Sequence, residues 1–290
     1  MSMDANLVRR VGFALVAIPL ALLLVWYGGI PLALLLALAA VLGTRELFDL
    51  AARGNVRPLR TLGLVSAGLL PPIVYAAITA PAVGSWLTEW WPYAVAIWII
   101  LLLSMTLTAR SPADRPLSVA GVSLLAVIYT GALPAFLLAI RHANHPLRSW
   151  AGAWLVFYPL VVTWVCDTAA MFGGRAFKGP KLAPAVSPGK TRSGSIAGVV
   201  GGLVVAPVFA AAVFPRTGPE VRLGQLLVIA GVLSVVGQVG DLAESLFKRE
   251  AGAKDSSALI PGHGGVLDRF DSLYFVIPTA AALYHAFGVI

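Results

Sequence analysis

The chain reads as an all-α, polytopic membrane protein with about nine transmembrane helices. Three observations predict this. Of its 290 residues, 59% are hydrophobic and 12% are charged, whereas a soluble domain carries about 25% charged residues. Apolar runs long enough for a bilayer core, which takes about 20 residues per helix, fill nearly the whole chain and leave little for a separate soluble domain. The Lys and Arg residues gather in short loops between those runs, as membrane orientation requires.

The runs follow one another with clear punctuation. The first covers about 10–27 behind Arg9 and Arg10. No small-residue cleavage site follows it, so it is expected to be an uncleaved helix and not a signal peptide. Gly28-Gly29-Ile30-Pro31 then separates it from a second run at 31–52. Further runs lie at 61–80, 92–109, 117–140, 151–173, 194–214, 223–247 and 270–289. Pro81, Pro112, Pro116, Pro146, Pro215 and Pro219 mark gaps between them. Residues 1–150 are expected to form a scaffold of transmembrane helices that faces lipid and offers dimer contacts; residues 151–290 are expected to hold the catalytic region. The lone cysteine, Cys166, excludes an intrachain disulfide.

The formal net charge of +8 would raise nucleic acid as a partner in a soluble protein. Here orientation and anionic substrates are the better readings. With the N-terminus in the cytoplasm, seventeen of the twenty-one Lys and Arg fall in cytoplasmic segments. Only Arg141, Arg148, Arg216 and Arg222 fall outside. The two most polar loops, 174–193 and 248–269, are thereby expected on the same side.

Acidic residues number thirteen, and six lie between 241 and 271: Asp241, Glu244, Glu250, Asp255, Asp268 and Asp271. Such clustering in an apolar chain is a functional hypothesis by default. In the 223–247 helix, Asp241, Glu244, Ser245 and Lys248 have i, i+3, i+4, i+7 spacing and share one face. Asp268 and Asp271, three apart at the expected start of the last helix, also face one way. Two faces of paired carboxylates suit Mg²⁺, which takes one or two carboxylates and leaves room for phosphate oxygens and water. A buried ion-pair network with Lys248, Arg249 and Arg269 is the competing account.

Between those helices, Ile260-Pro261-Gly262-His263-Gly264-Gly265 cannot continue a helix and lets backbone N–H groups approach an anion. His263 is either a proton shuttle or phosphate ligand, or a loop histidine bonded to a carbonyl. The other polar loop runs from Gly173 to Lys181 and on through Ser187-Pro188-Gly189-Lys190-Thr191-Arg192-Ser193-Gly194. It holds five basic residues, Arg175 among them, and no acid, which suits several phosphates at once; a plain positive-inside loop is the bland account. Asp167, within an apolar helix, needs a partner such as Arg175 or a bound ion. Arg45, Glu46 and Asp49 read as a polar helix end. Without any name, these features fit phosphoryl or nucleotidyl transfer involving a lipid at the membrane surface.

The run Ser245-Leu246-Phe247-Lys248-Arg249, Lys254-Asp255, Pro261-Gly262-His263-Gly264-Gly265, Asp268-Arg269 and Asp271 resembles the C-terminal signature of the phosphatidate cytidylyltransferase (CDP-diacylglycerol synthase) family. Gly240-Asp241, Asp167-Thr168 and Ser187-Pro188-x-Lys190-Thr191 are similar to that family too. The resemblance implies a multi-pass enzyme of the cell (inner) membrane with its active site facing the cytoplasm. It implies a homodimer that uses CTP and phosphatidic acid and needs Mg²⁺, with K⁺ as a candidate second cation. Carried over, Asp241, Asp268 and Asp271 hold metal, and Lys248, Arg249 and His263 join them in catalysis. Substrate contacts then come from Asp167, Arg175, Ser187, Lys190, Thr191, Ser245, Lys254, Asp255, Gly264, Gly265 and Arg269. Arg192 and Ser193 stand where the family usually has Trp and Glu. Two alternatives stay open: a cytidylyltransferase for another lipid phosphate, separable by lipid competition, and an ion-coupled transporter, which would spread its acids near the bilayer centre.

Overall fold

The computed structural model describes residues 5–260, 262 and 264–290, with side chains from residue 15 onward. It is helical almost throughout. In chain order the helices are α1 (Ala5–Tyr27), α2 (Gly29–Arg53), α3 (Arg60–Thr79), α4 (Pro81–Ala109), α5 (Pro116–His142) and α6 (Trp150–Phe177). A short antiparallel hairpin follows, β1 (Lys181–Ala183) and β2 (Ser187–Thr191), then α7 (Arg192–Thr217), α8 (Leu223–Glu250), α9 (Leu267–Phe270) and α10 (Leu273–Ala286). Among the described residues seven helices, α2 to α8, are long and apolar enough to cross a membrane. The described side chains of α1 add a shorter apolar stretch, Leu15–Tyr27.

These helices lie close to the runs expected from sequence, with informative differences. α4 begins at Pro81, eleven residues before the expected 92, because Pro at the first helical position is preorganised for a helix start. α6 carries on to Phe177, so part of the expected basic loop is helix and the rest is the hairpin. The last run is interrupted. α9 is one turn, and Asp271 sits in a turn before α10, its Oδ1 accepting from the Ser272 amide at 2.6 Å. Such local side-chain bonds compete with helix. At 14 residues, α10 extends about 21 Å, short of a hydrocarbon core of about 30 Å.

The chain divides into two compact units, each discontinuous in sequence. Unit 1 holds residues 1–20, 29–139 and 250–269; unit 2 holds 21–28, 140–249 and 270–290.

In unit 1, α2 packs on α3 and on the middle of α5. Leu32, Leu36, Ala40, Leu47 and Phe48 form its buried face, at the spacing of one helix stripe. Phe48 lies against Gly63 of α3, where a Cβ would strike its ring. α5 widens to a π-helix at Val127–Ala132. There Thr130 Oγ1 meets Thr44 Oγ1 at 2.6 Å, and Gly131 lies so close to Ala67 that a Cβ would come 2.9 Å from its Cα. The outward faces of α3 and α4 are apolar and exposed, Leu107 at 80%. That is costly in water and ordinary in lipid.

In unit 2, α6 and α7 run against each other along a stripe of small residues. A Cβ on Gly194 would lie 2.7 Å from Ala170 O, on Gly198 3.0 Å from Cys166 O, and on Gly201 2.5 Å from Ala169 Cβ. Small residues three or four apart on one helix face are what let membrane helices approach this closely. Tyr158 and Tyr284 are fully buried, donating to Leu226 O at 2.6 Å and Leu155 O at 3.0 Å. Arg141 is also fully buried. Its guanidinium donates to Val25 O (2.6 Å), Trp26 O (2.5 Å) and Pro146 O (3.2 Å), so a cation closes the C-terminal end of α1.

Candidate active site

In unit 2 a cavity of about 780 Å³ opens between the ends of α6, α7 and α8 and the hairpin. Each wall brings a different chemistry. α6 supplies Asp167 and, two turns on, Arg175; the hairpin and its approach supply Lys178, Lys181, Lys190 and Thr191; α8 supplies Gln238 and Asp241. Four cations therefore line one cavity with two carboxylates and several glycines.

Local structure fixes these groups. Lys181 pairs with Thr191, and Ala183 with Ser187, so the hairpin presents Lys190 two residues before α7. Thr191 caps that helix, its Oγ1 accepting from Gly194 N at 3.1 Å, as N-cap hydroxyls do. A Cβ on Gly174 would come 2.9 Å from the same Oγ1, so only glycine lets α6 pass the cap. Ser193 Oγ donates to Lys178 O, and Arg249 Nε holds the hairpin turn through Val186 O at 3.1 Å. Lys190 Nζ lies 2.5 Å from Asp241 Oδ2. Ser245 Oγ is 3.4 Å from Asp241 Oδ1, and Lys248 pairs with the buried Glu244 at 3.0 Å.

Asp167, Asp241, Asp271 and Lys190 act on one another electrostatically. Asp271 lies outside the spanning helices. Burial, and then the Asp241 carboxylate, push its carboxyl up to about 6. Acids so placed repel each other and favour a proton or a cation between them.

The other predicted residues belong to unit 1. Lys254, Asp255, Gly264 and Arg269 line a cavity of about 420 Å³ together with Ser257, Ala258, Ile260 and Gly262. Ile260 and Gly264 form a β-bridge, and Gly264 has a positive φ of 80°. Asp268 is buried; its Oδ2 accepts from Ser256 N (2.9 Å), Ser256 Oγ (2.7 Å) and Gly265 N (2.8 Å). His263 and Pro261 lie outside the described residues. Among the described residues no group of three or more His, Cys, Asp or Glu converges closely enough to hold a metal unaided.

Sequence reasoning missed two things. Gln238, one turn before Asp241, donates to Ser234 O at 3.0 Å and Ser195 O at 3.3 Å and lines the cavity; a polar residue on the Asp241 side of an apolar helix was the available signal. Glu46 was read as part of a polar helix end, but it is buried and holds a loop more than 200 residues away. No local pattern announces such a contact.

Comparison with known proteins decides the family. The cytidylyltransferase family profile matches residues 8–287. The chain belongs to that family. Its relatives include the phosphatidate cytidylyltransferase of Brucella suis, 36% identical over 99% of this chain and 94% of the relative. That of Bacillus subtilis is 33% identical over 93% and 94%, and that of Haemophilus influenzae 36% over 68% and 66%. This cytidylyltransferase-family chain is thus a membrane enzyme of nucleotidyl transfer, and the signature run noted in the sequence falls inside the matched region.

Proposed function

We propose that this enzyme transfers CMP from CTP to phosphatidic acid, giving CDP-diacylglycerol and pyrophosphate on the cytoplasmic side of the cell membrane. The observation that carries this reading is the unit 2 cavity, where Arg175, Lys178, Lys181 and Lys190 line one space with Asp167 and Asp241. The name of its relatives supports phosphatidic acid as the acceptor, and the concentration of basic residues in alternate loops supports the cytoplasmic side.

In this reading the phosphate monoester of the lipid is the nucleophile. One of its oxygens forms a bond to the α-phosphorus of CTP, and the bond from that phosphorus to the β-phosphate oxygen breaks. Such an oxygen is anionic near neutral pH and needs no strong base. The enzyme's work is then positioning and charge neutralisation. The hairpin cations hold the polyphosphate oxygens, and Thr191 and Arg249 keep the hairpin in place. Asp241 and Asp271 are the carboxylates assigned to Mg²⁺, which when bound neutralises charge on the transferring phosphoryl group. Two carboxylates with substrate oxygens completing the shell are what Mg²⁺ accepts. The resemblance assigns Asp268 to the metal as well, and K⁺ as a second cation; a homodimer is part of the same reading.

The test is incorporation of labelled CTP into lipid by the detergent-purified chain, with phosphatidic acid and Mg²⁺ and an EDTA control. Label entering lipid only with both additions is the expected result. No incorporation by folded protein, with incorporation restored by a different lipid phosphate, would replace the acceptor.

A further inference from the structure

Glu46 stands in the last turns of α2, on a helix whose other buried residues are mostly apolar. It is 3% exposed, and an isolated buried carboxylate is costly. Four donors offset that cost. Oε2 accepts from Ser256 Oγ at 3.0 Å and Leu267 N at 2.8 Å; Oε1 accepts from Ser257 Oγ at 2.7 Å and Val266 N at 3.0 Å. Each oxygen thus takes one hydroxyl and one backbone amide, one from each end of the 256–267 segment. Ser256 Oγ is also 2.7 Å from Asp268 Oδ2, so one hydroxyl proton is shared by two carboxylates. A Cβ on Gly265 would strike both Ser256 Oγ and Glu46 Oε2, which explains glycine at that position. Ser257, held by Glu46, lines the 420 Å³ cavity with Lys254, Asp255 and Arg269.

We infer that Glu46 is a positioning residue for the reaction: it clasps both ends of the glycine-rich signature loop and so fixes Asp268 and the loop cavity in working geometry. The inference rests on the proposed function only for its kinetic consequence. The clasp needs a carboxylate in particular. Glutamine keeps the length but turns one acceptor into a donor that faces a backbone N–H, leaving that amide unpaired. Aspartate is one methylene too short.

The test uses the full-length purified chain and Glu46→Gln, with Ser257→Ala as a milder variant that removes one donor of four. Hydrogen exchange at the Val266 and Leu267 amides is measured beside steady-state kinetics and thermal unfolding. In Glu46→Gln we expect exchange at those amides to quicken by about tenfold or more, and kcat to fall at least about tenfold with KM for both substrates nearly unchanged. Ser257→Ala should shift both readouts in the same direction by less. Wild-type exchange in both variants would overturn the clasp. Quickened exchange with unchanged kcat, or a kcat loss that merely tracks the unfolded fraction, would overturn the positioning role. A wild type that incorporates no label would count against the proposed reaction, and the exchange measurement would still decide the clasp.

Discussion

Lys190 forms an ion pair and is the proposed phosphate ligand, two roles whose energies differ in scale. Its ion pair with Asp241 is short, but the side chains keep 27% and 29% of their surface exposed, and pairs that retain contact with solvent contribute only about 1 kcal/mol or less to stability. As the proposed phosphate ligand in its cavity it would do far more, because charge-assisted bonds to substrate are directional and partly desolvated. Lys190→Ala should therefore leave the melting temperature almost unmoved while raising KM for CTP about tenfold or more. A melting shift without a kinetic one would remove Lys190 from substrate binding. Asp268 gives a complementary case. Its Oδ2 accepts three hydrogen bonds, and Asn can keep its amide oxygen in that place. Asp268→Asn should then preserve the loop and abolish turnover, since it removes charge and not shape. Asp268→Ala should lose the loop bonds too, costing about 1–3 kcal/mol. Equal activity in Asp268→Asn and wild type, with unchanged Mg²⁺ dependence, would refute a metal role.

Among the elements, the α6–α7 seam shows best why some of the site was legible and some was not. The spacing of Gly194 and Gly198 could be read from sequence only as tolerated helix glycines; their meaning needs the partner helix, whose Ala170 and Cys166 backbones they admit. The same holds for the hairpin. Ser187-Pro188-Gly189-Lys190-Thr191 was legible as a basic, hydroxyl-bearing loop because its composition is local. Its pairing with Lys181–Ala183 depends on two strands of three and five residues, too short for an alternation signal. By contrast, the i, i+3, i+4, i+7 set on α8 was legible in full, since helix geometry alone places Asp241, Ser245 and Lys248 on one face. Gly198→Leu should push the two helices apart, destabilising unit 2 by about 1–3 kcal/mol. Because Asp167 and Arg175 ride on α6 and Lys190 leads into α7, activity should fall with it. Gly224→Leu, at a helix glycine with open space around it, is the control expected to change neither. Thermal unfolding and label incorporation on the same preparations would separate these outcomes.

At the scale of the whole molecule, the sequence speaks through charge more than through pattern. The positions of the spans were readable because every apolar run of spanning length must satisfy its backbone internally, and helix is the way one segment can do so. The clasp of Glu46 and the buried Arg141 cap were not readable, since each joins segments more than 100 residues apart. The proposed orientation rests on something else again. Seventeen of twenty-one Lys and Arg fall in alternate segments, and moving that many cations across a membrane is opposed both by hydrocarbon and by the anionic inner leaflet. The consequence can be measured with thiol labelling, because the only native cysteine, Cys166, is buried and can be replaced by serine. Single cysteines at the exposed positions Ala113 and Ala185 should react with a membrane-impermeant maleimide only after cells are permeabilised. Cysteines at Leu147 and Glu220, also exposed, should react in intact cells. The reverse pattern would invert the chain and put the basic hairpin, and with it the proposed CTP site, on the side of the membrane where CTP is not made. A mixed pattern, with Ala113 and Ala185 on opposite sides, would instead break the helix count between α4 and the hairpin while leaving the unit 2 cavity intact.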